Sequence, residues 1–228
     1  MIVELIVQDK EEAIQAEQLG AGRLELVSAM KEGGLTPSYG TIKQVLGSVQ
    51  IPVQIMVRPH GYDFYYTEAD FQVICDDIRM ITELGGDRIV FGALHEDGTV
   101  NEEMLSEIIR LFPSIDITFH RAFDEVQSQE EAYHTLSQHK NVRRILTSGG
   151  ESTCEKGKEQ LARLVKLSEE HPGPSIMPGS GLSPDNIAGI HQVVGAKQYH
   201  FGSAVRTAGS FANGFSQLAM ERVQTELK

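Results

Sequence analysis

Eight short β-branched or aliphatic runs, each followed by a helical pattern, constrain this fold more than any single residue does. The runs are IVELIV (2–7), RLELV (23–27), PVQIMV (52–57), RIVFG (88–92), DITF (116–119), RRILT (143–147), SIMP (175–178) and QYHFG (198–202). Predicted helices cover 10–19, 39–49, 67–84, 101–112, 128–139, 155–171, 184–194 and 216–227. In the third of these, Phe71, Ile74, Ile78 and Ile81 return at three- and four-residue steps, which puts them on one helix face. Three helices run into the next strand through LGAGRLEL, LGGDRIVF and VGAKQYHF, where a glycine supplies the left-handed cap.

Strand–helix alternation with short connections means βαβ units and a parallel sheet. Eight such units in 228 residues close most naturally into a (β/α)₈ TIM barrel, a single α/β domain over 1–228. A doubly wound open sheet would carry a glycine-rich loop after its first strand. Here that loop reads VQDKEEA, and no linker or low-complexity tract divides the chain.

The net charge of −12 is spread along the chain, which argues against general affinity for nucleic acid or an anionic membrane surface. No apolar run approaches the roughly 18 residues of a membrane span. The start, MIVELIVQDKEEA, lacks the basic region of a signal peptide. Cys75 and Cys154 form no close pair and no CxxC, so the expectation is a reduced, cytoplasmic protein.

A barrel places its chemistry at the C-terminal ends of the strands. DITFHRAFDE ends a strand there with His120, Arg121 and Asp124. Alternation puts Glu4 on one face with Ile2 and Ile6, Glu25 with Val27, Arg58 with Gln54 and Met56, and His120 with Thr118. His200 lies in the eighth strand. Isolated buried carboxylates are costly, so Glu4 and Glu25 are expected to pair in the lumen with Arg58 and His120. Two readings stay open. Either the set is an ion-pair network that holds the lumen, or Arg58 orients an anionic group while His120 or Glu25 moves a proton. Glu25, Arg58, His120 and Asp124 are the catalytic candidates. Arg121 faces away from His120 and is expected to tie the strand end to Asp124 or a neighbouring loop.

The segments TSGGEST, MPGSGLSPDN and HFGSAV follow strands six, seven and eight. Their small residues expose backbone N–H groups where many barrels bind phosphate. Gly149, Gly179, Ser180, Gly181, Gly202 and Ser203 are therefore the candidate anion site, and ordinary turn chemistry is the alternative. Ser183, with Pro184 behind it, is expected to cap the seventh helix. HGYDFYYTEAD (60–70) could lie over the mouth as a lid or form a subunit contact. The eight histidines are scattered, with no HxH, HxxxH or HExxH, so spacing indicates no metal ligand set and no organic cofactor.

In order along the chain, GAGRLELV, KEGGLTPS, RPHGYDF, VFGALHEDG, TFHRAFD, RILTSGG and MPGSG resemble the CutC family of copper homeostasis proteins. The resemblance runs from the first strand to the eighth. It implies a (β/α)₈ barrel in a cytoplasmic, copper-associated protein, often a homo-oligomer. It also implies cysteines near the ends of strands one and two in members proposed to bind Cu(I). This chain has Ile6, Val7 and Val27 at those places, and it has His60 and Tyr62 where the family carries Arg and Gly. Two functions follow for comparison: copper homeostasis, or an enzyme acting on a small anionic or phosphorylated metabolite at the barrel mouth.

Overall fold

The computed structural model describes residues 1–228. Its strands are β1 (Ile2–Val7), β2 (Arg23–Leu26), β3 (Val53–Met56), β4 (Arg88–Phe91), β5 (Asp116–Phe119), β6 (Val142–Thr147), β7 (Ser175–Pro178) and β8 (Gln198–Phe201). They alternate with α1 (Lys10–Gln18), α2 (Tyr39–Leu46), α3 (Glu68–Glu83), α4 (Glu102–Leu111), α5 (Gln129–Ser137), α6 (Lys158–Glu170), α7 (Ile187–Val194) and α8 (Gln217–Glu226). All neighbouring strands pair in parallel, in the order β7-β6-β5-β4-β3-β2-β1-β8, and a bridge from Gly179 to His200 brings the two ends together. This is the expected (β/α)₈ barrel.

Local chemistry sets the element ends. Asp9, Ser38, Thr67, Asn101, Ser128 and Ser216 each accept a first-turn N–H with their side chains. Thr67 and Asp70 complete a reciprocal capping box at α3. Gly20, Gly85 and Gly195 take positive φ after α1, α3 and α7, as the sequence requires. One cap differs from expectation. The N-cap position of α7 falls on Asn186, which makes no side-chain cap bond, while Ser183 sits in the preceding turn, where its Oγ accepts from the Asp185 N–H.

Strand alternation divides the apolar residues. Leu5, Leu24, Ile55, Phe91, Phe119, Ile145, Ile176 and Phe201 face outward into a 52-residue core between sheet and helices. Only Ile6, Val27, Met56 and Val90 form a buried apolar cluster inside the barrel. The rest of the lumen carries Glu4, Arg23, Glu25, Gln54, Thr118, Arg144 and His200, all buried. Barrel lumens are usually filled by branched aliphatic residues. A polar lumen is held only if its charges pair, and pairing decides where the site lies.

Candidate functional site at the barrel mouth

Register sets the first group. Glu4 lies level with Arg23 on β2 and with His200 on β8. Arg23 donates from Nε to Glu4, and His200 Nδ1 lies 2.8 Å from the other Glu4 oxygen. Arg23 Nη2 also reaches Gln198 Oε1 at 2.7 Å and Met177 Sδ at 3.0 Å. Burial pushes the Glu4 pKa up, but Arg23 and His200 outweigh it and hold the carboxyl down to about 2. The lumen acid therefore finds its cation and imidazole in Arg23 and His200, not in the expected Arg58 and His120. Register is the reason, since Arg58 and His120 lie beyond the ends of β3 and β5, above the level of Glu4.

Glu25 sits one layer higher, paired in register with Ile6 and Gln54. Its Oε2 is 3.8 Å from His200 Nε2, whereas its buried Oε1 has no partner in the chain. Burial pushes its pKa up to about 7, with His200 pulling against the rise and Glu4 adding to it. Burial lowers the His200 pKa, but Glu25 and Glu4 more than reverse this, so its pKa is raised.

Arg58 and His120 share a wall with Phe64, whose ring lies 4.6 Å from the guanidinium carbon and 4.7 Å from the imidazole centroid. Gly33 makes room for Arg58: at φ +82, a Cβ there would sit 3.1 Å from Arg58 Nη1. Arg58 Nε is buried without a partner. His120 Nδ1 accepts the Ala122 N–H at 3.2 Å, so the neutral ring carries its proton on Nε2, and that buried atom also lacks a partner. Burial, with the nearby Arg58 charge, pushes the His120 pKa down to about 3. Near neutral pH His120 is therefore neutral, with its donor on Nε2.

Asp124 holds a loop. Its carboxylate accepts from Thr147 Oγ1 at 2.5 Å, from the Ser148 and Gly150 N–H groups at 3.0 Å, and from Arg121 Nε at 2.7 Å. Arg121 thus turns to Asp124, as its position on the strand end implied. The loop after β6 is tied down by this one acid.

The glycine-rich segments divide in two. Ser180 (φ +98) and Gly181 (φ +68) form a left-handed turn after β7. The N–H groups of Gly181 and Gly202 donate to no atom of the chain. Gly149 and Gly179 instead serve the loop: their N–H groups donate to Thr147 Oγ1 and the Thr147 carbonyl. Ser180, Gly181, Gly202 and Ser203 line the mouth; Gly149 and Gly179 do not.

All of this meets in one cavity of about 670 Å³, lined by Glu25, Arg58, Phe64, His120, Asp124 and His200 together with the β7 and β8 loops. That size suits a small metabolite. The HGYDFYYTEAD segment contributes Phe64 to the wall while Tyr62 is 90% exposed. Arg23 is the residue that the sequence reading missed. It precedes Glu25 by two on a strand, so strand alternation alone could have found it.

Glu4, Glu25 and His200 also offer ligand atoms that all lie within 4.8 Å of one another, a group able to hold a metal ion. No helix is long and apolar enough to cross a membrane.

The sequence model of the CutC family matches residues 1–205. The copper homeostasis protein cutC homolog of Mus musculus is 39% identical over 87% of this chain and 72% of its own length. A crystal structure of the putative copper homeostasis protein CutC from Streptococcus agalactiae superposes with a TM-score of 0.81 at 27% identity, covering 89% of this chain and 98% of the other. A phosphoribosyl anthranilate isomerase from Thermococcus kodakaraensis, at 15% identity and a TM-score of 0.68 over 100% and 98% of the two chains, shares the barrel fold alone. A match over most of the length, in strand order and with the same barrel, means that the chain belongs to the CutC family.

Proposed function

We propose that this chain serves copper homeostasis, the role for which its relatives are named, through a ligand site at the barrel mouth. The ligand we infer is a small anion. One observation carries this reading: Arg58 and His120, two buried residues that line one cavity, each keep a donor, Nε and Nε2, without a partner in the chain. A buried polar group left unpaired costs roughly 1–3 kcal/mol, and more if charged. A bound anion would give this wall, and the amides of Gly181 and Gly202 at the same mouth, an acceptor. Proteins keep such a cost where a ligand removes it.

Copper held by thiolates does not fit. Cu(I) prefers sulfur ligands, yet Ile6 and Val27 wall the cavity where family cysteines would stand. Cys75 lies on α3 and Cys154 in the loop before α6, and neither reaches the cavity. Burial pushes the Cys154 thiol up to about 12 and raises that of Cys75, so neither is a ready thiolate. Glu4, Glu25 and His200 are oxygen and imidazole donors that suit a divalent ion, and Arg23 already neutralises Glu4.

Two measurements check this reading. In anaerobic competition with a thiol buffer, the protein is expected to form no stoichiometric Cu(I) complex, and Cys75→Ser with Cys154→Ser should change nothing. A tight one-to-one complex lost in that double variant would refute it. In phosphate, melting should exceed that in chloride of equal ionic strength. At ten times its Kd, a native-state ligand adds about 1.4 kcal/mol, or roughly 3–6 °C for a chain of this size. Equal melting in both salts counts against an anion site.

A further inference from the structure

The mouth brings free amides against an apolar floor. Gly202, whose N–H donates to no atom of the chain, follows β8 and lines the cavity together with Gly181. A Cβ built on Gly202 would lie 3.2 Å from Phe211 Cζ and 3.3 Å from Ile6 Cδ1. From Ile6 the floor continues through Val27 and Met56, members of the apolar cluster inside the barrel. Met30 and Phe211, both half-buried, pack against that cluster. These five side chains, from β1, β3 and the segments after β2 and β8, all line the cavity.

From this we infer that the site takes an aromatic anion, an aryl phosphate or an aryl carboxylate, with its charge at Gly181 and Gly202 and its ring over the floor. The inference rests on the small-anion reading above and names its ligand class. A sugar phosphate does not suit the floor. Carbon and thioether sulfur offer its hydroxyls no strong hydrogen-bond partner, so each hydroxyl placed there would lose water without replacement. A bare inorganic anion would meet the amides but leave the apolar surface in water. A ring removes that surface from water together with its own. Met30 and Met56 add adaptable thioethers, which make favourable contacts with aromatic rings.

Phe211 joins the two parts. The segment that carries it is anchored on both sides of the barrel seam. The Phe211 carbonyl accepts from Gln8 Nε2 at 3.1 Å. Arg206 donates to both Glu12 oxygens, at 2.6 and 2.7 Å, and its guanidinium carbon lies 4.9 Å from the Phe211 ring centroid. The ring is thus held beside Gly202 and still lines the cavity. A ligand whose charge meets the Gly202 amide therefore meets Phe211 and Ile6 with the next part of its body. A cavity of mostly apolar lining with a few polar groups that fix orientation is the usual form of a small-molecule site.

The test is calorimetry on the full chain with inorganic phosphate, glycerol phosphate, naphthyl phosphate, naphthoate and uncharged naphthol. The better of naphthyl phosphate and naphthoate identifies the charged group. It is expected to bind roughly tenfold or more tightly than inorganic phosphate and glycerol phosphate, since covering about 60 Å² of apolar surface is worth a factor of ten. Phe211→Ala and Met30→Gln should each narrow the ratio of aryl to inorganic anion affinity by roughly threefold or more. Met30 is half-buried, so its variant keeps the test decisive if the loss of Phe211 unsettles the segment after β8. Aryl anions no tighter than inorganic phosphate, or a ratio unchanged in both variants, overturn this inference and leave the small-anion reading standing. Naphthol as tight as the aryl anions, or no binding by any anion, overturns both.

Discussion

Glu4→Gln is expected to destabilise the protein by about 3–5 kcal/mol, the scale for removing one partner of a buried ion pair. Glu4 is completely buried, with Arg23 on one oxygen and His200 on the other. An amide in its place leaves the Arg23 charge with only Gln198 and Met177 for company in the lumen. For a chain of this length such a loss lowers the melting temperature by roughly 10 °C or more. Glu4→Leu with Arg23→Met should recover much of it, since a buried pair replaced by apolar groups of similar volume is often neutral. The loss should also depend on pH in a defined direction. The Glu4 folded pKa is lowered from 4.5 to about 2. Its contribution is therefore fully present above 4.5 and disappears as pH falls toward 2, so wild type and Glu4→Gln should converge there. Urea denaturation at several pH values reads this. A single-variant loss under about 1 kcal/mol at pH 7 would mean that the lumen network does not hold the barrel.

The barrel was legible because each strand carries its own period and each helix its own stop. Gly20, Gly85 and Gly195 mark where helices end, and the alternation of Leu5 with Glu4 and Ile6 marks which face is which. The residues of the mouth were legible for the same reason, since strand ends in a barrel share one rim. Their partners were not. Whether Glu4 meets Arg58 or Arg23 depends on the stagger between strands, and stagger is fixed by the closed sheet rather than by any one strand. Level pairing of Glu4 with Arg23 and His200 appears only when β1 lies between β2 and β8. The same holds for the glycine-rich loops. Gly149 and Gly181 look alike in sequence, yet Gly149 faces the start of α6, 2.7 Å from the Gly157 carbonyl if given a Cβ, while Gly181 lines the cavity. Composition could not separate an amide spent on a turn from one free for a ligand.

Glu25→Gln should have the opposite sign from Glu4→Gln: the variant should be more stable than wild type at pH 8 and equal to it below pH 4.5. Glu25 is 3% exposed, and one of its oxygens has no partner, so its ionised form is held at a cost. Its folded pKa is raised from 4.5 to about 7. A carboxyl shifted this way favours the folded state while protonated; that contribution is complete below 4.5 and is lost as pH rises through about 7. A glutamine keeps the shape of the protonated acid and never ionises, so it avoids the loss. A shift of this size corresponds to about 3 kcal/mol above pH 8, reduced by whatever attraction to His200 the amide gives up. Two buried acids on adjoining strands would thus respond oppositely to the same substitution, because Glu4 is bonded on both oxygens and Glu25 has only His200 at 3.8 Å from one of them. Parallel denaturant titrations at pH 5 and pH 8 decide the matter. A Glu25→Gln variant that is less stable than wild type by the same margin at both pH values would mean that Glu25 is an ordinary paired member of the lumen network.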